Sequence, residues 1–329
     1  MKKMTFTTLL IGAAALLAGC FGSEESVPAH SIHYLNGKDS VSLFDFEKGK
    51  TDQINLDLSS EYPYGITSRN PVEEKTLTMI QNDDDGYQYY LQSGETFDEI
   101  GKTDTPAFGG VYTKDRIYTI VYEKDKVILK ELEPESFKEK NRWELKGTPE
   151  AITADYETGT VYALSRTDSI LLYTLKDGTI TENQLLDDTY EVNAQFEDDN
   201  LIVSINQLVR SNGKETDNKE EKRIAIYDTK REEIIDTYTT EHPPKYVVQD
   251  DGGLLVISGT PNSNFLETIN DQKKSASSTE LKTREVFGIT SYKDKSYIFA
   301  RDGVYKVSNR DITLVNKNEI PDSVDLSIQ

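Results

Sequence analysis

The sequence has 329 residues, and 58 acidic residues against 37 basic ones give it a net charge of −21. Because nucleic-acid backbones are bound mainly through Lys and Arg, this charge argues against a nucleic-acid partner. Hydrophobic residues make up 36% of the chain, enough for a packed core, and the length allows one large domain or two ordinary ones. Cys20, the single cysteine, cannot form an intrachain disulfide or a zinc site of several thiolates.

Residues 1–19 have the pattern of an export signal. Lys2 and Lys3 form a short basic region, and a mostly apolar run follows over residues 5–18. The run is too short for a stable helix across about 30 Å of hydrocarbon, which needs about 20 apolar residues. We therefore predict that residues 1–19 are a signal peptide.

The end of this segment indicates the kind of signal. Leu17-Ala18-Gly19-Cys20 resembles the lipobox of bacterial lipoproteins at every position. The resemblance implies that Cys20 carries diacylglycerol and palmitate and becomes the first residue of the mature chain. The alternative is an ordinary secreted protein with a chance thiol near its cleavage site.

Lipidation at Cys20 would determine where the protein works. Two acyl chains hold a protein on a membrane far better than one, since each buried CH₂ contributes ~0.8 kcal/mol. Residues 20–30 are mostly small, polar or Pro and are expected to form a flexible tether. We expect the protein on the extracytoplasmic face of the cell membrane, at the outer surface of a Gram-positive bacterium or in the periplasm otherwise.

Residues 31–329 repeat with a period near 43. Pro63, Pro106 and Pro149 lie 43 residues apart, and each precedes a short apolar stretch. Similar registers, some of them without the proline, follow at Thr189, Pro244, Val286 and Pro321. Seven registers of this length are typical of a repeat architecture.

Each repeat has the pattern of several short strands joined by turns. The fourth repeat is the clearest and predicts strands over 151–155, 160–165, 170–175 and 179–186. Helix signals are few anywhere in the chain. Four strands per repeat predict an all-β protein, a seven-bladed β-propeller of four-stranded antiparallel blades.

The two ends of the repeat region predict how the ring closes. The first repeat begins at Ser31 with what should be its second strand, so it lacks an innermost strand. The surplus seventh register, over residues 321–327, stands at the other end of the chain. Pairing the N- and C-terminal segments would close the ring and remove two exposed sheet edges. Rings of six or eight blades remain the alternatives.

The repeats over most of the chain resemble a known family, most clearly in three or four of them. Residues 40–50 followed by Pro63-Tyr64-Gly65-Ile66, and residues 223–232 followed by His242-Pro243-Pro244, resemble the YVTN-type repeat of bacterial seven-bladed propellers. That family includes surface proteins, periplasmic binding propellers and lactonase-like enzymes. The resemblance therefore implies a fold more than a function.

Residues suited to catalysis or metal binding are scarce in the sequence. His30, His33 and His242 are interpreted as solvated or capping side chains that share no metal. Gly49-Lys50-Thr51 lacks the earlier glycine and the following helix of a phosphate loop. The segment 82–86 is interpreted as a hairpin turn, because it lacks the end carboxylates of a calcium-binding loop. No catalytic residue, metal or cofactor is predicted.

The residue after each register predicts a ring at one mouth of the central channel. The ring consists of Tyr64, Ala107, Glu150, Tyr190, Lys245, Phe287 and Asp322. Aromatic and charged side chains that converge on a funnel could bind a ligand. The alternative is that these side chains pack the tops of the blades. The candidate ligand-binding residues are Tyr64, Glu150, Tyr190, Lys245 and Phe287.

Two long polar insertions, over 208–222 and 272–279, interrupt the repeats. Loops beyond about 12 residues are either functional or disordered. We expect a membrane-anchored binding or scaffolding lipoprotein whose rim loops contact a protein or cell-envelope partner. One alternative is a lactonase-like hydrolase with its site in the central channel, disfavoured by the few histidines and carboxylates there. Another is a sensor subunit beside a transport or envelope complex.

Overall fold

The computed structural model describes residues 29–37, 39–56, 58, 63–81, 86–208, 219–250, 253–260, 263–270, 275–308, 311–322 and 324–328. Several predicted features lie outside these residues: the signal peptide, Cys20, most of the tether, residues 82–85 and most of the 208–222 insertion. The described part of the chain contains strands and turns and no helix long and apolar enough to cross a membrane.

In the described part of the chain, twenty-eight strands form seven sheets. The first blade holds β1 (Ser31–Leu35), β2 (Ser40–Asp45) and β3 (Lys50–Asn55). The second holds β4 (Tyr64–Asn70), β5 (Lys75–Gln81), β6 (Tyr87–Ser93) and β7 (Thr96–Thr103). The third holds β8 (Ala107–Thr113), β9 (Arg116–Glu123), β10 (Lys126–Leu132) and β11 (Glu139–Leu145). The fourth holds β12 (Thr148–Asp155), β13 (Thr160–Arg166), β14 (Ile170–Lys176) and β15 (Thr179–Leu186).

The remaining blades follow the same order. The fifth holds β16 (Tyr190–Glu197), β17 (Asn200–Leu208), β18 (Lys219–Asp228) and β19 (Glu233–Thr239). The sixth holds β20 (Pro244–Asp250), β21 (Gly253–Thr260), β22 (Ser263–Asn270) and β23 (Ser275–Leu281). The seventh holds β24 (Val286–Tyr292), β25 (Lys295–Ala300), β26 (Gly303–Ser308) and β27 (Asp311–Asn316). The last strand is β28 (Asp325–Ile328).

The seven sheets are arranged as a β-propeller, as the sequence predicts. Within each blade the strands are antiparallel and run in chain order from the centre outward. The inner strands β4, β8, β12, β16, β20, β24 and β28 each contact the next, and β28 contacts β4 to complete the ring. They all begin at the same mouth of the central channel, named here the first mouth, and end at the second mouth.

The ring closes through β28, which fills the innermost position that the first blade lacks. It lies beside β1 and β24, but its backbone pairs with β4 of the second blade, from Asp325 opposite Tyr64 to Ile328 opposite Thr67. This pairing is parallel because inner strands of neighbouring blades run in the same direction. The N- and C-terminal segments therefore meet at the closure as predicted, but the backbone pairing of β28 is with β4 of the neighbouring blade and not with β1.

Aromatic side chains pack the seam between the first and seventh blades. The ring of Phe44 lies 5.5 Å from that of Tyr297 and 5.9 Å from that of Phe299, and Phe46 stacks on Tyr292 at 4.9 Å. All five side chains are buried. Since large aromatic side chains dominate the energetics of cores, this seam is a major contribution to holding the ring closed.

The interpretation of His33 as a solvated or capping residue is wrong. His33 lies in β1 and is 0% exposed. All five residues of β1 are buried, because the strand lies inside its blade with neighbours on both faces. Neither ring nitrogen has a hydrogen-bond partner within the described residues, and the ring meets Phe97 edge-on at 4.4 Å.

Candidate functional site

The predicted ring residues lie at the starts of inner strands, around the first mouth. Tyr64, Ala107 and Tyr190 are the first residues of β4, β8 and β16. Lys245 and Phe287 are the second residues of β20 and β24. Glu150 is the third residue of β12, and Asp322 shortly precedes β28. The repeat spacing thus places all seven at one end of the channel.

Four inner strands carry a β-bulge at this mouth. The pairing of β12, β20 and β24 with the next strand skips Glu150, Lys245 and Phe287 respectively. In β8 the skipped residue is Phe108, one position after the predicted Ala107. A bulge leaves its residue outside the ladder and changes the direction of its side chain. The bulges therefore give the first mouth a set of side chains that the regular strand period would place elsewhere.

The aromatic members of the ring pack into the blade tops. Tyr190 is 8% exposed, and the Arg223 guanidinium lies 5.3 Å from its ring centroid. Phe287 is 2% exposed beneath the Arg301 guanidinium, at 5.1 Å. Tyr64 is half-buried against the hydrophobic cluster between the second and third blades. The rings of Tyr190 and Phe287 thus each make a cation–π interaction with an arginine, which the ring quadrupole favours.

Glu150 forms a half-buried ion pair on the fourth blade. Its Oε1 lies 3.1 Å from Arg166 Nε, and its Oε2 accepts a hydrogen bond from the Val192 N–H at 3.4 Å. Burial raises the pKa of Glu150 to about 7, although the Arg166 guanidinium opposes this effect. A carboxyl with a pKa near neutrality can both donate and accept a proton at physiological pH.

An open cleft of about 470 Å³ lies at the first mouth between the sixth and seventh blades. Its lining combines three cations with two carboxylates and an amide: Lys245, Asn264, Arg284, Glu285, Arg301 and Asp322. The Nζ of Lys245 donates to Asn264 Oδ1 at 3.2 Å and to the Thr260 carbonyl at 3.4 Å. Burial lowers the pKa of Lys245, against the attraction of Glu285. The cleft can therefore contact a partner's charged groups of either sign.

Arg301, which the sequence analysis did not single out, holds the C-terminal segment in place. Its Nη1 donates to the carbonyls of Pro321 at 2.6 Å and Ile320 at 3.3 Å, and its Nε donates to Glu285 Oε2 at 2.7 Å. Since the side chain is only 8% exposed, we assign it a structural role. Arg301 lies in the turn after β25, and an arginine in such a position gives no sequence signal for this role.

The three histidines lie in separate surroundings. His30 Nδ1 lies 3.1 Å from Glu74 Oε2 at the second mouth, and His33 is in the core of the first blade. His242 stacks on Phe265 at 3.7 Å, and its Nδ1 lies 3.3 Å from Glu267 Oε1. Among the described residues, no group of three or more His, Cys, Asp or Glu side chains could hold a metal ion.

The segment Gly49-Lys50-Thr51 belongs to a turn and the strand after it. The Asp45 Oδ1 accepts hydrogen bonds from the N–H groups of Glu47 and Lys48, and Gly49 has a φ of 63°. A glycine is favoured at this left-handed position because it has no Cβ. The interpretation of this triplet as part of a strand-to-strand turn is confirmed.

Comparisons with known proteins agree on the fold. No family profile and no curated protein matches the sequence. A functionally unknown protein from Desulfotomaculum acetoxidans is similar, with a TM-score of 0.61 and 12% identity over 88% of this chain and 98% of that one. The WD40 β-propeller domain of Doa1 is also similar, with a TM-score of 0.54 and 10% identity over 87% of this chain and 93% of that one. A chain of the nidogen/laminin complex is similar as well, with a TM-score of 0.50 and 12% identity over 77% of this chain and 93% of that one.

Proposed function

We propose that this chain is a lipid-anchored, extracytoplasmic binding propeller that holds a protein partner of the cell envelope at its first mouth. The observation that carries the proposal is the position of the 208–222 insertion. Leu208 pairs with Tyr190 at the start of β16, and Lys219 pairs with Leu208. Both ends of the insertion therefore stand at the first mouth, beside the ring of predicted site residues.

The rigid ring beneath this insertion supports a binding role. The inner strands fix the Glu150–Arg166 pair and the charged cleft around Lys245 in defined positions on the same mouth. Binding loops are commonly positioned by a rigid scaffold, and a preorganised scaffold lowers the entropic cost of binding. A similar propeller is part of the nidogen/laminin complex, so the fold serves protein–protein assembly elsewhere.

The position at which the chain enters the propeller supports an orientation of the propeller relative to the membrane. His30, which precedes β1, contacts Glu74 and Tyr292 at the second mouth. A tether from a lipidated Cys20 would thus reach the propeller on that side, and eleven extended residues span at most about 36–40 Å. In our proposal the second mouth faces the membrane, and the first mouth is free to meet the partner.

Site-specific photo-crosslinking tests the binding surface. A photoreactive residue replaces Asn212 in the insertion, and a matched variant carries it at Arg231, in the turn between β18 and β19 at the second mouth of the same blade. Irradiation of intact cells should link the Asn212 variant to one defined protein and leave the Arg231 variant free. Equal crosslinking from both positions, or none from Asn212, contradicts the proposal.

The lactonase-like hydrolase remains the second candidate, because the raised pKa of Glu150 is typical of catalytic carboxyls. If binding is the function, the purified protein should turn over no lactone, with or without Glu150→Gln. Turnover of a lactone by the purified protein, lost in Glu150→Gln with an unchanged melting temperature, would instead assign it as an enzyme.

A further inference from the structure

The central channel contains a cavity of about 140 Å³ in the half toward the second mouth. Six of the seven inner strands contribute to its wall. Pro71, an exposed residue that follows β4, is part of the lining, so the cavity reaches the surface. A cavity needs ~10–15 Å³ to hold one water molecule, so this space accommodates a molecule of about ten non-hydrogen atoms.

Arg69 is the cation of this cavity. It lies in β4, lines the cavity and is only 7% exposed. The guanidinium lies 5.3 Å from the ring centroids of both Phe46 and Tyr292, and its Nη1 donates one long hydrogen bond, of 3.5 Å, to the Ser291 carbonyl. A guanidinium carries five N–H donors, so most of its hydrogen-bonding capacity is unused by these contacts.

No carboxylate of the described residues lies within ion-pair distance of Arg69, although acidic residues are in large excess in this chain. Burial lowers the pKa of the guanidinium, with Glu74 as the main opposing charge. A buried charge without a paired counter-charge is costly, and the aromatic rings offset only part of that cost. An anionic ligand in the cavity would supply the missing partner.

We propose that the central cavity binds a small organic carboxylate, whose carboxylate group pairs with Arg69. A planar carboxylate matches the fork of a guanidinium and can accept two parallel hydrogen bonds. The apolar body of the ligand would lie against Ile152, Val247 and Ile289, which line the same space. This inference is independent of the partner surface at the first mouth.

The rest of the lining favours a carboxylate over a phosphate. Glu197 also lines the cavity, and its Oε2 accepts the Gln249 N–H at 2.6 Å. Burial raises the pKa of Glu197 to about 7, so a dianion nearby would meet a second acidic group with only one cation to balance it. Phosphate sites usually offer several cations, whereas Arg69 is the one cation among the described residues that line this cavity.

Calorimetric titration of the full-length chain tests the inference. The probes are 4-methylpentanoate, its neutral amide, leucine, which adds an ammonium group to the same skeleton, and inorganic phosphate. We expect 4-methylpentanoate to bind at least about tenfold more tightly than its amide, as for a charge-assisted hydrogen bond in a buried site. Leucine binding at least as well as 4-methylpentanoate would also support the inference and would extend the ligand class to amino acids.

Substitution of Arg69 separates a binding role from a structural one. Arg69→Met keeps the aliphatic packing and should weaken carboxylate binding at least about tenfold, while the melting temperature without ligand stays equal or rises because an unpaired buried charge is gone. Arg142→Met, an exposed arginine on β11, should bind like the natural protein. Failure of every probe to bind, tighter binding of phosphate than of carboxylates, or equal binding by Arg69→Met would overturn the inference.

Discussion

Two buried titratable side chains, His33 and Glu267, are accommodated in opposite ways. His33 is fully buried and has no hydrogen-bond partner among the described residues, and burial lowers its pKa to about 3. Glu267, also 0% exposed, accepts hydrogen bonds from the N–H groups of Glu241 at 2.7 Å and His242 at 3.0 Å, and from the Ser258 hydroxyl. One group is thus kept neutral, and the other is surrounded by donors.

His33 should make the fold sensitive to acid. The folded protein keeps the ring neutral down to about pH 3, whereas the unfolded chain protonates it near its ordinary value of 6.5. The unfolded state therefore binds more protons as the pH falls, and the free energy of unfolding should decrease between these values, by about 2 kcal/mol from pH 8 to pH 5. Urea unfolding of the natural protein and of His33→Leu across this range measures the effect.

The comparison with His33→Leu is needed because other groups titrate in the opposite direction. Burial raises the pKa values of Glu150 and Glu197 to about 7, so their contributions to stability increase as the pH falls from 7 toward 4.5. These contributions cancel in the difference between the two proteins. Parallel stability curves for both would show that His33 is protonated at the same pH in the folded and unfolded states.

Glu267 should be one of the most sensitive positions in the sixth blade. Glu267→Ala leaves one buried and two partly buried donors without their acceptor and should lower the free energy of unfolding by about 3 kcal/mol or more. Glu267→Gln keeps one acceptor oxygen and should cost roughly 1–2 kcal/mol. Glu280→Ala, on the exposed face of β23, should stay within about 0.5 kcal/mol. Similar unfolding midpoints for Glu267→Ala and Glu280→Ala would contradict this account.

At the scale of elements, the strand pattern could be predicted where each strand alternates between clear turns. In the fourth blade the predicted strands 160–165 and 170–175 correspond to β13 and β14, which extend one residue further. The bulges could not be predicted, since each lies at the second or third residue of its strand, where too few residues precede it to show a break in the alternation. The ring prediction therefore includes Ala107, whereas the bulged residue of that blade is Phe108.

Contacts between distant segments also leave no trace in local periodicity. The pairing of β28 with β4 joins residues at opposite ends of the chain. Arg69 and the strands around its cavity come from six different repeats. Such sites depend on how the blades are arranged around the axis, so the sequence predicts the mouth residues by their repeat position but not the cavity.

Removal of the C-terminal strand should open the ring. Truncation after Lys317 deletes four buried side chains: Ile320, Val324, Leu326 and Ile328. At ~1.5–3 kcal/mol each, their burial contributes about 6–12 kcal/mol, comparable to the whole stability of a typical domain. We expect the truncated protein to aggregate or to melt at a far lower temperature, as measured by calorimetry. An unchanged melting temperature would mean that the ring closes without β28.

Arg301→Lys provides the graded control for this truncation. It keeps the charge near Glu285 but loses the planar fork that reaches the carbonyls of Ile320, Pro321 and Val324. The variant should retain the full chain and melt between the natural protein and the truncated one. If Arg301→Lys melts at the same temperature as the truncated protein, the ring closure is stabilised mainly by the arginine rather than by the apolar side chains.

At the scale of the whole molecule, the two mouths of the channel carry different candidate binding features. The first mouth holds the ends of the 208–222 insertion and the charged cleft, and the second holds the entry of the chain and the Arg69 cavity. In the proposed orientation, a tether that enters at the second mouth would place these two surfaces at different distances from the membrane. The proposed partner and the proposed ligand would therefore approach from opposite sides and need not compete.

The attachment of this N-terminus to a membrane is the prediction on which the orientation depends. Cys20→Ser removes the thiol that would carry the lipid, so the protein should accumulate as an unprocessed precursor or appear in the medium, without incorporated labelled palmitate. Adding Ser26→Cys to that variant places a thiol in the tether but outside the lipobox-like segment, and it should not restore attachment. Because two acyl chains account for nearly all of the expected membrane affinity, the loss should be almost complete rather than partial. Full membrane retention of Cys20→Ser would contradict the proposal of a lipid anchor. It would also contradict the argument that the first mouth faces away from the membrane.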